Sequence, residues 1–172
     1  IDMLPPGRRP IETRVLRPAE RGRAHSFIIS QLEAGRQAFI IYPLVEGSEK
    51  VEAMAAVEEH ARLQEEVFRG YRVGLLHGRL RPDEKDAMMA AFRAAETQVL
   101  VSTSVVELGV DVPNATVMLI EGANHFGLAQ LHQFRGRVGR GQHQSYCLLL
   151  AETPSVEAKE RLGILQRIRD GF

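Results

Sequence analysis

The chain has 172 residues, which suits one compact domain with a real core and is too short for two well-separated ones. Lys plus Arg equals Asp plus Glu at 22 each, so net charge gives no global sign of nucleic-acid or membrane binding, and any basic site must be local. The one cysteine, Cys147, excludes an internal disulfide framework, and no apolar run approaches the roughly 18 residues of a membrane helix, so the expected setting is soluble, reducing and cytoplasmic, without a membrane.

In chain order, Pro5, Pro6, Gly7 and Pro10 bar helix and central strand from the opening segment, and residues 1–12 read as a linker from an upstream domain. Pro18 suits a first helical position, and Ala24, Phe27, Ile28 and Leu32 recur at helical spacing until Gly35 stops them. The run 38–42 is apolar throughout, as expected of a strand buried on both faces. A charged helix follows over about 48–68, then a strand at 72–76 and a helix opened by Pro82, Asp83 and Glu84, whose carboxylates suit its positive dipole end. Further strands are expected at 98–102, 116–120 and 146–150. This alternation predicts an α/β fold with a mainly parallel sheet covered by helices on both faces, and ligands beyond the carboxyl ends of its strands. The segments to inspect are therefore 43–46, 77–79, 103–111 and 121–124. The abrupt ends at Ile1 and Phe172 read as those of a piece of a longer protein.

Residues 131–140, taken as a helix at about 100° per residue, place Leu131, Phe134 and Val138 on one face and Gln133, Arg137 and Arg140 on the opposite one. Arg135 falls on the apolar edge and is expected to be structural. Two neighbouring guanidiniums repel, so they gain most from an anion between them, and phosphate matches the paired donors of arginine. Gly136 and Gly139 each cost a helix about 1 kcal/mol relative to Ala, which suggests a close approach by another backbone or a ligand. Spacing alone also fits a solvated basic face paired with nearby carboxylates. His125, His132, His143 and Cys147 lack the pair-plus-pair spacing of a metal site, and none is expected.

The string at 130–141, QLHQFRGRVGRG, resembles the sixth conserved motif of the superfamily 2 helicases, Q-x-x-G-R-x-G-R, through Gln133, Gly136, Arg137, Gly139 and Arg140. The resemblance implies that Arg137 and Arg140 are catalytic arginine fingers reaching the phosphates of ATP, with Gln133 also at the nucleotide. Residues 99–113 resemble the fifth motif, which implies Ser102 and Thr103 on the nucleic-acid backbone and Gly109 and Asp111 at the nucleotide phosphates and ribose. A hydroxyl-rich turn capped by Asp111 accounts for the same residues locally, and Ser104 departs from the Asp of many relatives. The strand at 38–42 with Pro43, Leu44 and Val45 resembles the fourth motif, and 76–79 the His-Gly element after it, which brings Pro43, Leu44 and Arg79 to DNA. His77, at a strand end, is given a packing role.

Segments 4–8, 43–46, 74–79 and 126–130, with the long helix carrying Glu58 and Glu59, are similar to the RecG family, which remodels branched DNA at stalled forks. The Mfd family of transcription-repair coupling translocases shares the 125–133 run and is the alternative. The resemblance implies a RecA-like three-layer α/β/α domain at 13–153, akin to the P-loop NTPases but without its own P-loop. Residues 154–172 would begin a helical hairpin that couples hydrolysis to translocation, with 155–169 as its first arm. The sequence contains no G-x-x-x-x-G-K-[ST] phosphate loop and no strand-end Asp-Glu pair. ATP and Mg2+ are therefore expected to be held mainly by an upstream RecA-like domain, and this segment alone to be inactive. The implied partner is branched DNA with duplex and single-stranded arms, engaged by a monomer. A non-enzymatic nucleic-acid-binding module of the same fold is the rival reading; a free-standing small-molecule enzyme lacks a nucleophile-base pair or cofactor loop.

Overall fold

A computed structural model describes residues 11–43, 49–103, 112–138 and 143–151. The linker up to Pro10, Leu44, Gly109, Asp111, Arg140 and the hairpin at 154–172 lie outside the described residues.

The described elements alternate along the chain: β1 (Glu12–Leu16), α1 (Arg21–Glu33), β2 (Gln37–Ile41), α2 (Glu49–Arg62), β3 (Val73–Leu76), α3 (Pro82–Arg93), β4 (Val99–Ser102), β5 (Ala115–Glu121), α4 (Leu128–Arg135) and β6 (Tyr146–Leu150). The strands form one sheet in the order β1-β6-β5-β2-β4-β3, and every pairing is parallel. Each expected strand is present within a residue or two of its expected limits. β2, β4 and β5 are buried along their whole length, which explains their unbroken apolar sequences.

Period-two alternation divides the core into two layers. Ala38 and Ile40 of β2 face the side of α1, packing with Ala24, Ile28 and Leu32 and with Leu63 and Phe68 just beyond α2. Phe39 and Ile41 face the other way, with Met89 and Phe92 of α3 and Leu131 and Phe134 of α4. The result is the expected three-layer α/β/α arrangement. α3 begins as its sequence indicates, with Pro82 at the first position and the backbone N–H of Arg81 donating to Glu84 Oε1 at 2.9 Å.

Two expectations need correction. The sheet takes in the end of the segment read as linker: Ile11 is a core residue and Glu12 opens β1, paired in register with Tyr146. β1 is an edge strand with exposed charges at Glu12 and Arg14, so its sequence lacks the apolar run that marked the inner strands. The helix expected over 131–140 instead begins at Leu128 and ends at Arg135. Beyond it the Arg137 N–H donates to the Phe134 carbonyl at 3.0 Å and that of Val138 to Arg135 at 3.3 Å, a tightening to three-residue spacing that suits a helix ending at glycine.

Gly74 on β3 is required by packing. A Cβ there would come within 2.5 Å of Met88 Sδ and 3.0 Å of Thr97 Cγ2. Gly74→Ala is expected to lose about 1–3 kcal/mol, read from the urea unfolding midpoint, because the sheet and α3 leave no room for a methyl group.

Candidate nucleotide and nucleic-acid site at the strand ends

The carboxyl ends of β5, β2, β4 and β3 lie side by side, and the segments leaving them are tied into one row. The Tyr42 N–H after β2 donates to the Ser102 carbonyl at 2.9 Å, and that of Thr103 after β4 donates to the Leu76 carbonyl at 3.2 Å. Pro43, after β2, lies against Gly122, after β5. The row thus brings Pro43, Ser102, Thr103 and Arg79 to one edge of the sheet, where an open parallel sheet binds its ligands.

Their exposures differ. Arg79 is exposed and Pro43 half-buried, whereas Ser102 and Thr103 are buried at 0% and 3%. Thr103 Oγ1 has no hydrogen-bond partner among the described residues. His77 Nδ1 accepts the Arg79 N–H at 3.1 Å, so the ring braces the turn that presents Arg79.

On the α1 side, Glu121 closes β5 and is buried, and Arg21 grips it with two 2.9 Å hydrogen bonds, Nε to Oε2 and Nη2 to Oε1. This paired contact raises the Arg21 guanidinium above its ordinary range. Tyr42 donates to Glu59 Oε1 at 3.4 Å, and Arg62 Nε donates to the same oxygen at 2.8 Å. Burial, reinforced by Glu121 and Glu59, pushes the Tyr42 phenol well up, so it stays protonated and remains a donor.

His25 lies under this cluster, edge-on to Phe68, with Nε2 buried and unpartnered among the described residues. Burial lowers its pKa, outweighing the pull of Glu121 and Glu59, while Arg62 and Arg21 lower it further. Above about pH 6.5 the imidazole is neutral both folded and unfolded; below it the unfolded chain takes up the proton first. Stability is therefore expected to fall as pH drops below about 6.5, and His25→Phe to flatten that fall in urea titrations compared at pH 5.5 and 7.5. His132, lowered by burial and by Arg135, contributes in the same sense and keeps its share in that variant.

α4 carries the arginine motif out of the sheet's other face. Leu131, Phe134 and Val138 are buried, and the Phe126 and Phe134 rings meet edge to face at 5.1 Å. Gln133 is exposed, and Arg137 is half-buried with an Nε that has no hydrogen-bond partner among the described residues. Arg135 is 0% exposed. Burial pushes the Cys147 thiol up to about 12 against the opposing pull of the Arg135 guanidinium. Among the described residues no cluster of His, Cys, Asp or Glu could hold a metal, and no helix is long and apolar enough to cross a membrane.

The Glu121 and Arg21 grip, the Tyr42 network and the close contact at Gly122 are not evident in the sequence. The one available signal is that 121–124 follows a continuously apolar strand.

An all-parallel sheet of order β1-β6-β5-β2-β4-β3 between two helical layers, with the arginine motif following the helix that leaves a central strand, fits the RecA-like class of helicase domain. Residues 23–142 match the family model of the helicase conserved C-terminal domain, and the chain belongs to that family. Over its whole length it is 55% identical to the ATP-dependent DNA helicase RecG of Synechocystis sp.. It is 50% identical to the RecG of Bacillus subtilis and 45% identical to that of Thermotoga maritima. The chain spans 21%, 25% and 22% of those three proteins, respectively. A structure of RecG bound to a three-way DNA junction superposes with a TM-score of 0.83 at 43% identity, covering 99% of this chain and 22% of that one. The DEAD-box helicase domain 2 of Mss116p bound to an RNA duplex superposes with a TM-score of 0.67 at 18% identity, over 91% of this chain and 60% of that one, a likeness of fold alone. These matches favour RecG and lend no support to the Mfd alternative.

Proposed function

We propose that this chain is the second motor domain of an ATP-dependent DNA helicase of the RecG type, which remodels branched DNA in recombination and repair. Identity of 55% along the whole chain carries this reading, and the likeness to a junction-bound RecG supports DNA as the partner. ATP would supply the phosphoryl group that passes to water with ADP as the leaving group, Mg2+ would screen the phosphate charge, and the upstream RecA-like domain of the same polypeptide would hold most of both, since the sequence here has no phosphate loop. This domain closes the site from the other side. Arg137 and Arg140 neutralise charge on the transferring phosphoryl group, and Gln133, Gly109 and Asp111 contact the nucleotide.

The Nε of half-buried Arg137, without a hydrogen-bond partner among the described residues, suits that role, because a donor taken from water without a partner gains from an anion. Arg79, Pro43 and Leu44 meet the DNA backbone. Ser102 and Thr103 are both buried and support the backbone contact from beneath the loop; the Thr103 hydroxyl, without a partner among the described residues, meets DNA once the loop opens around it. The protein works as a cytoplasmic monomer. The test is ATP hydrolysis by the full-length protein with three-way junction, forked and linear duplex DNA. Stimulation by junctions and forks above that by linear duplex is expected; DNA binding without stimulated hydrolysis would favour a non-enzymatic binding module.

A further inference from the structure

The turn after β5 touches the DNA-side row of loops and continues into the arginine helix. β5 ends at Glu121, buried and gripped twice by Arg21. Gly122 follows with φ 58° and ψ 40°, the left-handed conformation that side-chain-bearing residues disfavour. A Cβ built there would lie 3.0 Å from Pro43 Cγ, 3.4 Å from Pro43 Cδ and 3.2 Å from His125 Cδ2. Glycine is therefore needed both for the backbone and for the closeness of the proline ring. Immediately afterwards the His125 N–H returns to the Gly122 carbonyl at 2.9 Å, closing a short 3-10 turn at Ala123–His125. Phe126 then packs on Phe134, and Gly127 opens α4, which leads to Gln133 and Arg137. One continuous segment thus bears on Pro43 at one end and runs through α4 toward Arg137 at the other.

We propose that the turn at 121–122 is a positioning element that couples the Pro43 loop at the DNA to α4 and, through it, to the arginine segment that follows at the nucleotide, with Gly122 a positioning residue touching neither ligand. The inference rests on the reading of Pro43 as a DNA contact. Anchored by Arg21 on one side and by the packing of Phe126 on the other, the turn cannot yield freely, so a side chain at position 122 displaces the Pro43 ring by a few tenths of an ångström.

The test uses the full-length protein with forked DNA. Gly122→Ala is expected to raise the DNA concentration for half-maximal ATPase on the order of fivefold, a fraction of the roughly hundredfold that a full ångström of displacement can cost. Hydrolysis without DNA is expected to stay at the parent value, while maximal DNA-stimulated turnover falls as well, since the turn that shifts runs on into α4 and the arginine segment after it; unchanged maximal turnover would leave only the Pro43 contact and overturn the coupling. Gly35→Ala is the control: Gly35 has φ 89°, and a Cβ there would meet nothing within 4 Å, so the substitution brings the backbone strain without the proline contact. It is expected to lose stability and keep its response to DNA. If Gly122→Ala does not fold, Gly122→Asn replaces it, because Asn tolerates the left-handed region and still brings a Cβ.

Pro43→Ala removes the ring atoms that the new Cβ would meet. It is expected to weaken DNA use by itself and to shrink the added effect of Gly122→Ala. If Pro43→Ala weakens DNA use while Gly122→Ala matches Gly35→Ala, or if the two effects simply add, the coupling is overturned and the DNA reading of Pro43 stands. If Pro43→Ala leaves DNA use unchanged, the reading of Pro43 fails and takes the inference with it.

Discussion

Alanine at Arg137 in the full-length protein is expected to leave ATP and forked DNA bound while lowering DNA-stimulated turnover by roughly a thousandfold, the scale associated with an arginine finger. Its position is the reason. Leu131, Phe134 and Val138 fix the packed face of the segment, and Arg137 stands just past the end of α4 with its Nε lacking a partner among the described residues. A guanidinium so placed gains little from the ground state of its own domain and most from charge that grows on a neighbouring phosphoryl group. The loss should therefore fall on kcat, with the KM for ATP little changed. Arg137→Lys is expected to recover only part of the rate, because an ammonium keeps the charge without the paired donors. Arg140→Ala should behave similarly. Turnover within about twofold of the parent in both alanine variants would refute the finger role.

The contrast between inner and edge strands shows what a sequence discloses about this fold. β2, β4 and β5 are buried on both faces, so burial wrote itself into unbroken apolar runs. β1 contributes one row to the same sheet but carries Glu12 and Arg14 on its open side, and its charges hid it. The end of α4 was overrun because the apolar rhythm continues to Val138, whose burial does not require helix, while Gly136 marks where the hydrogen bonding tightens.

The same division holds at the site. Residues proposed for chemistry that stand in short strings, such as Gln133, Arg137 and Arg79, are open to inspection. The grip of Arg21 on Glu121 joins residues 100 positions apart, and each alone is an ordinary charge beside a helix start or a strand end. Gly122 is informative only through its φ and through Pro43, which meets it from a separate strand. Long-range contacts between loops have no local signature, so the packing behind the candidate site stayed hidden where the motif residues proposed for it did not.

Arg135, two residues before the proposed finger, should fail in the opposite manner when replaced. Its side chain is fully buried among core residues, and its charge is felt at His132 and Cys147. Arg135→Ala removes a long side chain from a packed layer and takes a positive charge from groups arranged around it. A loss of about 3–5 kcal/mol in urea unfolding is expected. Arg135→Met keeps most of the volume without the charge and separates the two contributions: recovery of most of the stability would assign the loss to packing, continued loss to the charge. Under conditions where each variant is folded, ATPase per folded molecule should remain near that of the parent, since Arg135 is closed off from the surface that carries Gln133. Stability unchanged in Arg135→Ala, or turnover collapsing in a fully folded Arg135→Met, would overturn the assignment of this arginine to the core.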